Sequence, residues 1–150
     1  MLNNEASKKI LTSQKGLSLV EILIALTLLA IAGTFVVGSV LDNLREGEIK
    51  SAKIQIKNIS GILTDYKRKC GSYPTEEQGL DALIAAPTVG RECRRYPPNG
   101  FIQGGKIPED PWGYEFIYKS NGRDFEIIST GPDGMEGGEG EDADISSKDI

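Results

Sequence analysis

Hydrophobic and polar positions follow three regimes along the 150 residues. The first 15 are mostly polar. From Gly16 to Leu41 (GLSLVEILIALTLLAIAGTFVVGSVL) the chain is apolar apart from Glu21, and Ile22–Leu41 gives 20 consecutive uncharged positions. About 20 apolar residues let a helix cross a hydrocarbon core of ~30 Å, so this block predicts a transmembrane helix. Beyond it the apolar positions thin to a stripe: Ile49, Ala52, Ile56, Ile59, Leu63, Tyr66 and Cys70 recur at steps of three and four, one face of a helix. The stripe predicts that the helix continues with its C-terminal half laid against a globular head, weakened at Gly47 and Gly61 and stopped by Gly71. A freestanding coiled coil competes for the same stripe, but it covers only about three heptads.

The remainder reads as short elements. Tyr73-Pro74 breaks the helix. Thr75-Glu76-Glu77-Gln78 then forms a capping box ahead of a second helix running to about Ala85, with Leu80, Leu83 and Ile84 on its apolar face and Pro87 closing it. Thr88 to Gly105 is a long loop by its Gly, Pro, Arg and Asn content. Asp110-Pro111-Trp112-Gly113 is a turn. Tyr114–Tyr118 and Asp124–Ser129 are strands of an antiparallel hairpin joined through Ser120-Asn121-Gly122. Trp112 is placed in the core, with carbohydrate stacking as the alternative. The fold class is α+β: a long N-terminal helix, its first half transmembrane, packed on a small head with a short helix and an antiparallel sheet.

Charge gives the block its orientation. Residues 1–16 hold Lys8, Lys9 and Lys15 against Glu5, and a positive flank stays cytoplasmic while the C-terminal part is exported. A secretory signal would end its apolar region at a small-residue cleavage site, whereas here the block runs on into an amphipathic helix. Glu21 is costly in lipid unless paired, which marks it as functional; the alternative is an anchor that reaches the interface. Net charge is −5 and becomes more negative without the leader, disfavouring nucleic acid as a partner. Lys67, Arg68 and Lys69 form a local basic cluster, read as a solvated helix end.

Cys70 and Cys93 are the only cysteines, and both follow the apolar block, in a compartment where disulfides persist. A bridge between them is expected. Free or metal-binding thiols are the alternative, although two cysteines in a chain with no histidine make a poor zinc site. The absence of histidine also excludes Ser-His-Asp chemistry, and no Gly-rich loop joins a strand to a helix, so the chain does not read as an enzyme.

Residues 131–150 carry seven acids, five glycines and one lysine. Such a composition builds no core and reads as a solvated acidic tail. The rival reading is a Ca²⁺ loop, because hard oxygen donors on a flexible backbone suit that ion; the spacing is not that of an EF-hand.

A short basic leader, Gly16, and then Leu17-Ser18-Leu19-Val20-Glu21 opening a hydrophobic helix resemble the class III signal of type IV pilins and pseudopilins. Leu17 stands where that family prefers Phe, and Gly38 where it often has proline. YPTEEQGLDALI, PEDPWGYEFIY and GPDGMEGGEGEDADI follow in order, and together with the processing site they resemble the major pseudopilins of type II secretion systems over residues 16–145. The resemblance implies a type IV pilin-like fold with three parts: a leader over 1–16, a transmembrane and filament-core helix over 17–41, and a periplasmic head over 42–150. It implies cleavage between Gly16 and Leu17 by a prepilin peptidase, N-methylation of Leu17, and pairing of Glu21 with the amino terminus of a neighbouring copy. It further implies Ca²⁺ in a loop at about 130–145, held by Asp133 and the carbonyls of Thr130 and Pro132, with Asp142 or Asp144 as the second carboxylate. The implied role is a single-pass inner-membrane subunit that polymerises into a periplasmic pseudopilus and supports export of folded proteins. Its partners are itself, minor pseudopilins and inner-membrane secretion components. A type IV pilus or DNA-uptake subunit, and a monomeric membrane-anchored Ca²⁺-binding protein, are the alternatives.

Overall fold

The computed structural model describes residues 18–150, without the side chains of residues 34–39. Gly16 and Leu17 lie outside the described residues. The chain divides into two compact units between Asn43 and Leu44.

Helix α1 spans Leu19–Cys70, 52 residues. In the first unit it displays Leu19, Val20, Ile22, Leu23, Ile24 and Leu26 among its exposed apolar side chains, and Glu21 is exposed in its first turn. Among the described residues no helical stretch is long and apolar enough to cross a membrane. The uncharged run Ile22–Leu41 includes residues 34–39, whose side chains are not described.

The second unit holds the core. Ala52, Ile56, Ile59, Leu63 and Tyr66 are essentially inaccessible, with Ile49 and Cys70 partly buried at either end, so the stripe of threes and fours is the face that packs. This excludes the freestanding coiled coil. α1 stops where Gly71 takes φ +88 and its N–H bonds the Lys67 carbonyl at 2.7 Å.

The second helix is shorter than its sequence signal. The capping box forms: the Thr75 N–H donates to Gln78 Oε1 at 3.0 Å, and the Gln78 N–H donates back to Thr75 Oγ1 at 3.4 Å. It closes a turn rather than starting an α-helix, because Gly79 (φ 60, ψ −170) takes the next residue out of the helical region, leaving one 3-10 turn at Leu80–Leu83. Leu80 and Leu83 still face the core as expected, joined by Ala82. The Gln78 amide donates to the Val89 and Arg91 carbonyls at 2.7 and 3.2 Å, pinning the loop that follows.

Three antiparallel strands lie in the order β1 (Ile117–Ser120), β2 (Phe125–Ser129), β3 (Ile145–Ser146). The hairpin register sets Tyr118 opposite Ile127 and Ser120 opposite Phe125. β1 begins three residues later than the apolar pattern suggests, because Asp110 closes residues 110–114 into a turn of their own. Asp124 belongs to the connection, its N–H held by Asn121 Oδ1 at 3.0 Å. β3 was not anticipated. It pairs Ile145 with Ser129 and buries Ile145, correcting the view that residues 131–150 contribute nothing to a core.

Candidate functional site

The C-terminal loop leaves β2 at Ser129 and returns as β3, so both its ends are fixed by strand pairing. Between them the acids take distinct roles. Asp133 Oδ1 accepts the Met135 N–H at 3.0 Å, a local turn stabilised by its own side chain. Glu136 pairs with Lys119, whose ammonium is held above its ordinary pKa first by that hydrogen bond. Glu141 pairs with Arg45 of α1 at 2.5 Å. Glu139 and Asp142 are exposed.

Asp144 differs from the rest. It is half-buried, its Oδ2 accepts the Gly137 N–H at 2.9 Å, and its Oδ1 is buried with no hydrogen-bond partner. A buried acceptor without a donor is costly, and a missing ion is one explanation of such an atom. The loop around it is tight: a Cβ on Gly138 would overlap the Asp142 carbonyl oxygen, so only glycine fits there. Beside it a cleft of about 190 Å³ is lined by Ile49, Trp112, Pro132, Asp144, Ile145 and Ile150, among others.

Asp144, the alternative to Asp142 in the sequence reading, is therefore the one whose carboxylate turns inward. The structure does not gather Asp133, Asp142 and Asp144 into a metal-binding cluster; among the described residues no such group of three exists. Thr130 is buried and Pro132 exposed in the turn between β2 and Asp133. At the end of β3, Ser146 Oγ donates to Glu126 Oε1 at 2.7 Å, and just beyond it Lys148 reaches Glu126 Oε2 at 2.8 Å. These contacts hold the Glu126 carboxyl below the ordinary range, Lys148 being the larger cause.

Cys70 and Cys93 are bonded, with Cα atoms 4.7 Å apart, as expected. The bridge ties the end of α1 to the long loop, whose Phe101 packs on Tyr66 and Tyr96 at 5.1 and 5.4 Å between ring centres. Trp112 is half-buried against the core, and its indole N–H donates to Glu48 at 3.1 Å.

Sequence reasoning missed one residue on which the site depends. Asp110 is buried: Oδ1 accepts the N–H groups of Trp112 and Tyr114 at 3.1 and 2.8 Å, and Oδ2 accepts the Ser129 hydroxyl at 2.6 Å. It clamps the last residue of β2, where the C-terminal loop departs. An Asp directly before Pro in a turn was the available signal.

Two family models match the chain. "Prokaryotic N-terminal methylation motif" matches residues 11–37 and "Type II secretion system (T2SS), protein G" matches residues 39–148. The type II secretion system core protein G of Vibrio cholerae is 36% identical over 144 residues, 95% of this chain and 97% of that one. That of Pseudomonas aeruginosa is 35% identical over 138 residues, 91% and 96% of the two chains. The crystal structure of the major pseudopilin from the type 2 secretion system of enterohaemorrhagic Escherichia coli superposes with a TM-score of 0.64 at 32% identity, covering 73% of this chain and 94% of that one. With the long helix, the small three-stranded sheet and a processing motif in one polypeptide, the chain belongs to the type II secretion protein G family of structural pseudopilins.

Proposed function

We propose that the chain is anchored in the inner membrane by residues 17–41, with its head, Leu44–Ile150, in the periplasm, and that it polymerises into the pseudopilus without catalysing a reaction. The observation that carries this reading is the apolar surface of α1 before Asn43: a soluble monomer does not leave such a surface to water, whereas lipid and then neighbouring helices cover it. In the same reading Gly16–Leu17 is cut, Leu17 is N-methylated, and its ammonium pairs with Glu21 of a neighbouring copy, turning two isolated charges into one pair. Minor pseudopilins and inner-membrane secretion components are the further partners.

Intact mass of the membrane-extracted protein tests processing: loss of residues 1–16 plus one methyl is expected, and a full-length chain refutes it. Glu21→Ala tests assembly. Membrane insertion persists, because removing a charge makes the helix more apolar, while filament yield falls. Filaments as abundant as wild type would refute the pairing.

Calcium belongs to the same proposal. The unpartnered buried oxygen of Asp144 and the all-oxygen donor set fit a hard cation. Asp133 and Asp144 would hold it, with the carbonyls of Thr130 and Pro132, and Asp142 is left as a solvated charge. When bound, the ion neutralises acids on the loop; the chain's own residues position that loop through β3 and the Arg45 pair. A ligand binding only the folded state adds about 2.7 kcal/mol at a hundredfold excess over Kd. The protein should therefore melt higher in Ca²⁺ than in chelator, and Asp144→Asn should remove the difference. Equal melting temperatures refute the calcium reading and leave the assembly reading intact.

A further inference from the structure

The head carries two charge clusters of opposite sign at opposite ends of its part of α1. At the Cys70 end, Lys67, Arg68 and Lys69 occupy the last turn, and the bridge to Cys93 brings the loop bearing Arg91, Arg94 and Arg95 beside them. All six side chains are exposed, and a Cβ on Gly71 would lie 3.5 Å from the Arg91 guanidinium, so loop and helix end form one surface. Asp65, paired to Arg68 at 2.9 Å, and Glu92 are the acids among them. At the other end, the Arg45–Glu141 pair fixes the exposed acids Glu139, Glu141 and Asp142 beside the start of the head's helix, one turn from Glu48. Arg45 and Lys67 are 22 residues apart on α1. At 1.5 Å per residue that is about 33 Å, roughly three Debye lengths at moderate salt, so the two clusters do not neutralise each other within one copy.

A positive island on an acidic chain, about 33 Å along α1 from that chain's own acidic end, is complementary to the acidic end of a second copy. We propose that the basic surface built by the Cys70–Cys93 bridge docks the Glu139–Asp142 segment of the next copy along the filament. The contact is heterologous, one end of a subunit to the opposite end of another, and such contacts propagate into open filaments rather than closing into dimers. It rests on the pseudopilus reading and adds to it the surface by which heads meet. The bridge then has a second use, since it holds the arginine loop against the helix end as a preformed docking face. Exposed ion pairs are individually weak, so the contact sets register and direction, and the apolar helices supply most of the affinity.

Charge reversal in the full chain tests it. Arg94→Glu with Arg95→Glu should raise the subunit concentration for half-assembly about tenfold. Glu139→Arg with Glu141→Arg should do the same. Neither reversed chain assembles well alone, but an equimolar mixture, or one chain carrying all four changes, should regain filaments. A carbodiimide, which joins amines to carboxylates at ion-pair distance, should link Lys67 or Lys69 to the 139–142 segment in wild-type filaments; at about 33 Å within a copy, such a link joins two copies. Reversed chains that assemble like wild type, or a four-fold change that fails to restore assembly while each chain stays folded, overturn the proposal. So does loss of binding to anionic lipid vesicles on Arg94→Glu, Arg95→Glu with filament yield unchanged, which would assign the surface to a membrane. Failure of the wild-type chain to form filaments would instead refute the pseudopilus reading itself.

Discussion

Replacing Asp110 with alanine removes the acceptor for three donors at once: the N–H groups of Trp112 and Tyr114, and the hydroxyl of Ser129, a residue with no accessible surface. Hydrogen bonds to a charged group are worth about 1.5–3 kcal/mol each, and a buried donor left unpaired costs about 1–3 kcal/mol. The three bonds share one side chain and are not additive, so the loss should be about 3–5 kcal/mol, a large share of a small domain's stability. Asp110→Asn discriminates the cause. Its carbonyl oxygen still accepts both N–H groups and its amide can donate to Ser129, whose hydroxyl rotates, so the loss should fall to about 1–2 kcal/mol. Trp112 is the only tryptophan and sits two residues away, so its fluorescence during thermal or urea unfolding of the detergent-solubilised protein reports on this clamp. At about 4–8 °C per kcal/mol for a domain of this size, the alanine variant should melt about 12–40 °C lower. A shift of only a few degrees would refute the clamp. An asparagine variant as unstable as the alanine one would show that charge, rather than hydrogen-bond geometry, matters at this position.

Other residues give further expectations. Cys70→Ser with Cys93→Ser opens a loop with a sequence separation of 23, which in the chain-entropy estimate costs about 3 kcal/mol; an unchanged urea midpoint in wild type with and without reductant would contradict it. Tyr118 is pushed up to about 12 by burial, and its hydroxyl donates to the Pro74 carbonyl at 2.8 Å. The folded state therefore holds that proton more tightly than the unfolded chain, and the stability it contributes is present below pH ~10 and lost as pH rises toward ~12. Tyr118→Phe should lower stability by about 1–3 kcal/mol at neutral pH by leaving that carbonyl unpaired, and should flatten the alkaline loss seen in wild type. Glu126 is shifted the other way: its contribution is present above the ordinary carboxylate pKa of about 4.3 and lost as pH falls through its lowered folded value, so Glu126→Gln should lower the urea midpoint slightly at pH 7 and by progressively less on acidification.

Long periodic signals survived into the structure, and short ones were overruled. The α1 stripe was legible because it repeats over several turns, and each added residue reinforces the same face. Gln78 was legible as half of a capping box, yet one backbone conformation at Gly79 turned that box into a loop fastening. β3 is two residues long, too short for any alternation to register, and its only apolar member is Ile145. Asp110 read as a turn former; its bond to Ser129 joins residues 19 apart and has no local pattern. Within the candidate site, composition could nominate acids but not rank them, because Asp142 and Asp144 differ only in which way the backbone of a glycine-rich loop turns each side chain.

That loop also explains why composition alone misjudged the tail. Ordering a residue costs about 1–2 kcal/mol in backbone entropy, and glycine loses more freedom than other residues, so the stretch between β2 and β3 is expensive to hold. Its acids repel one another as well. The fold answers with contacts that lie at separate points along the loop: Lys119 on Glu136, Arg45 on Glu141, the Gly137 N–H on Asp144, and strand pairing at Ile145. Two of these are exposed ion pairs, which water and salt screen to little effect. The anchor with real depth is therefore β3, where Ile145 enters the core beside the strand that Asp110 clamps. Order in the loop is borrowed from the sheet at both ends, so any change that frees β3 or the end of β2 releases the acidic segment without touching a single acid.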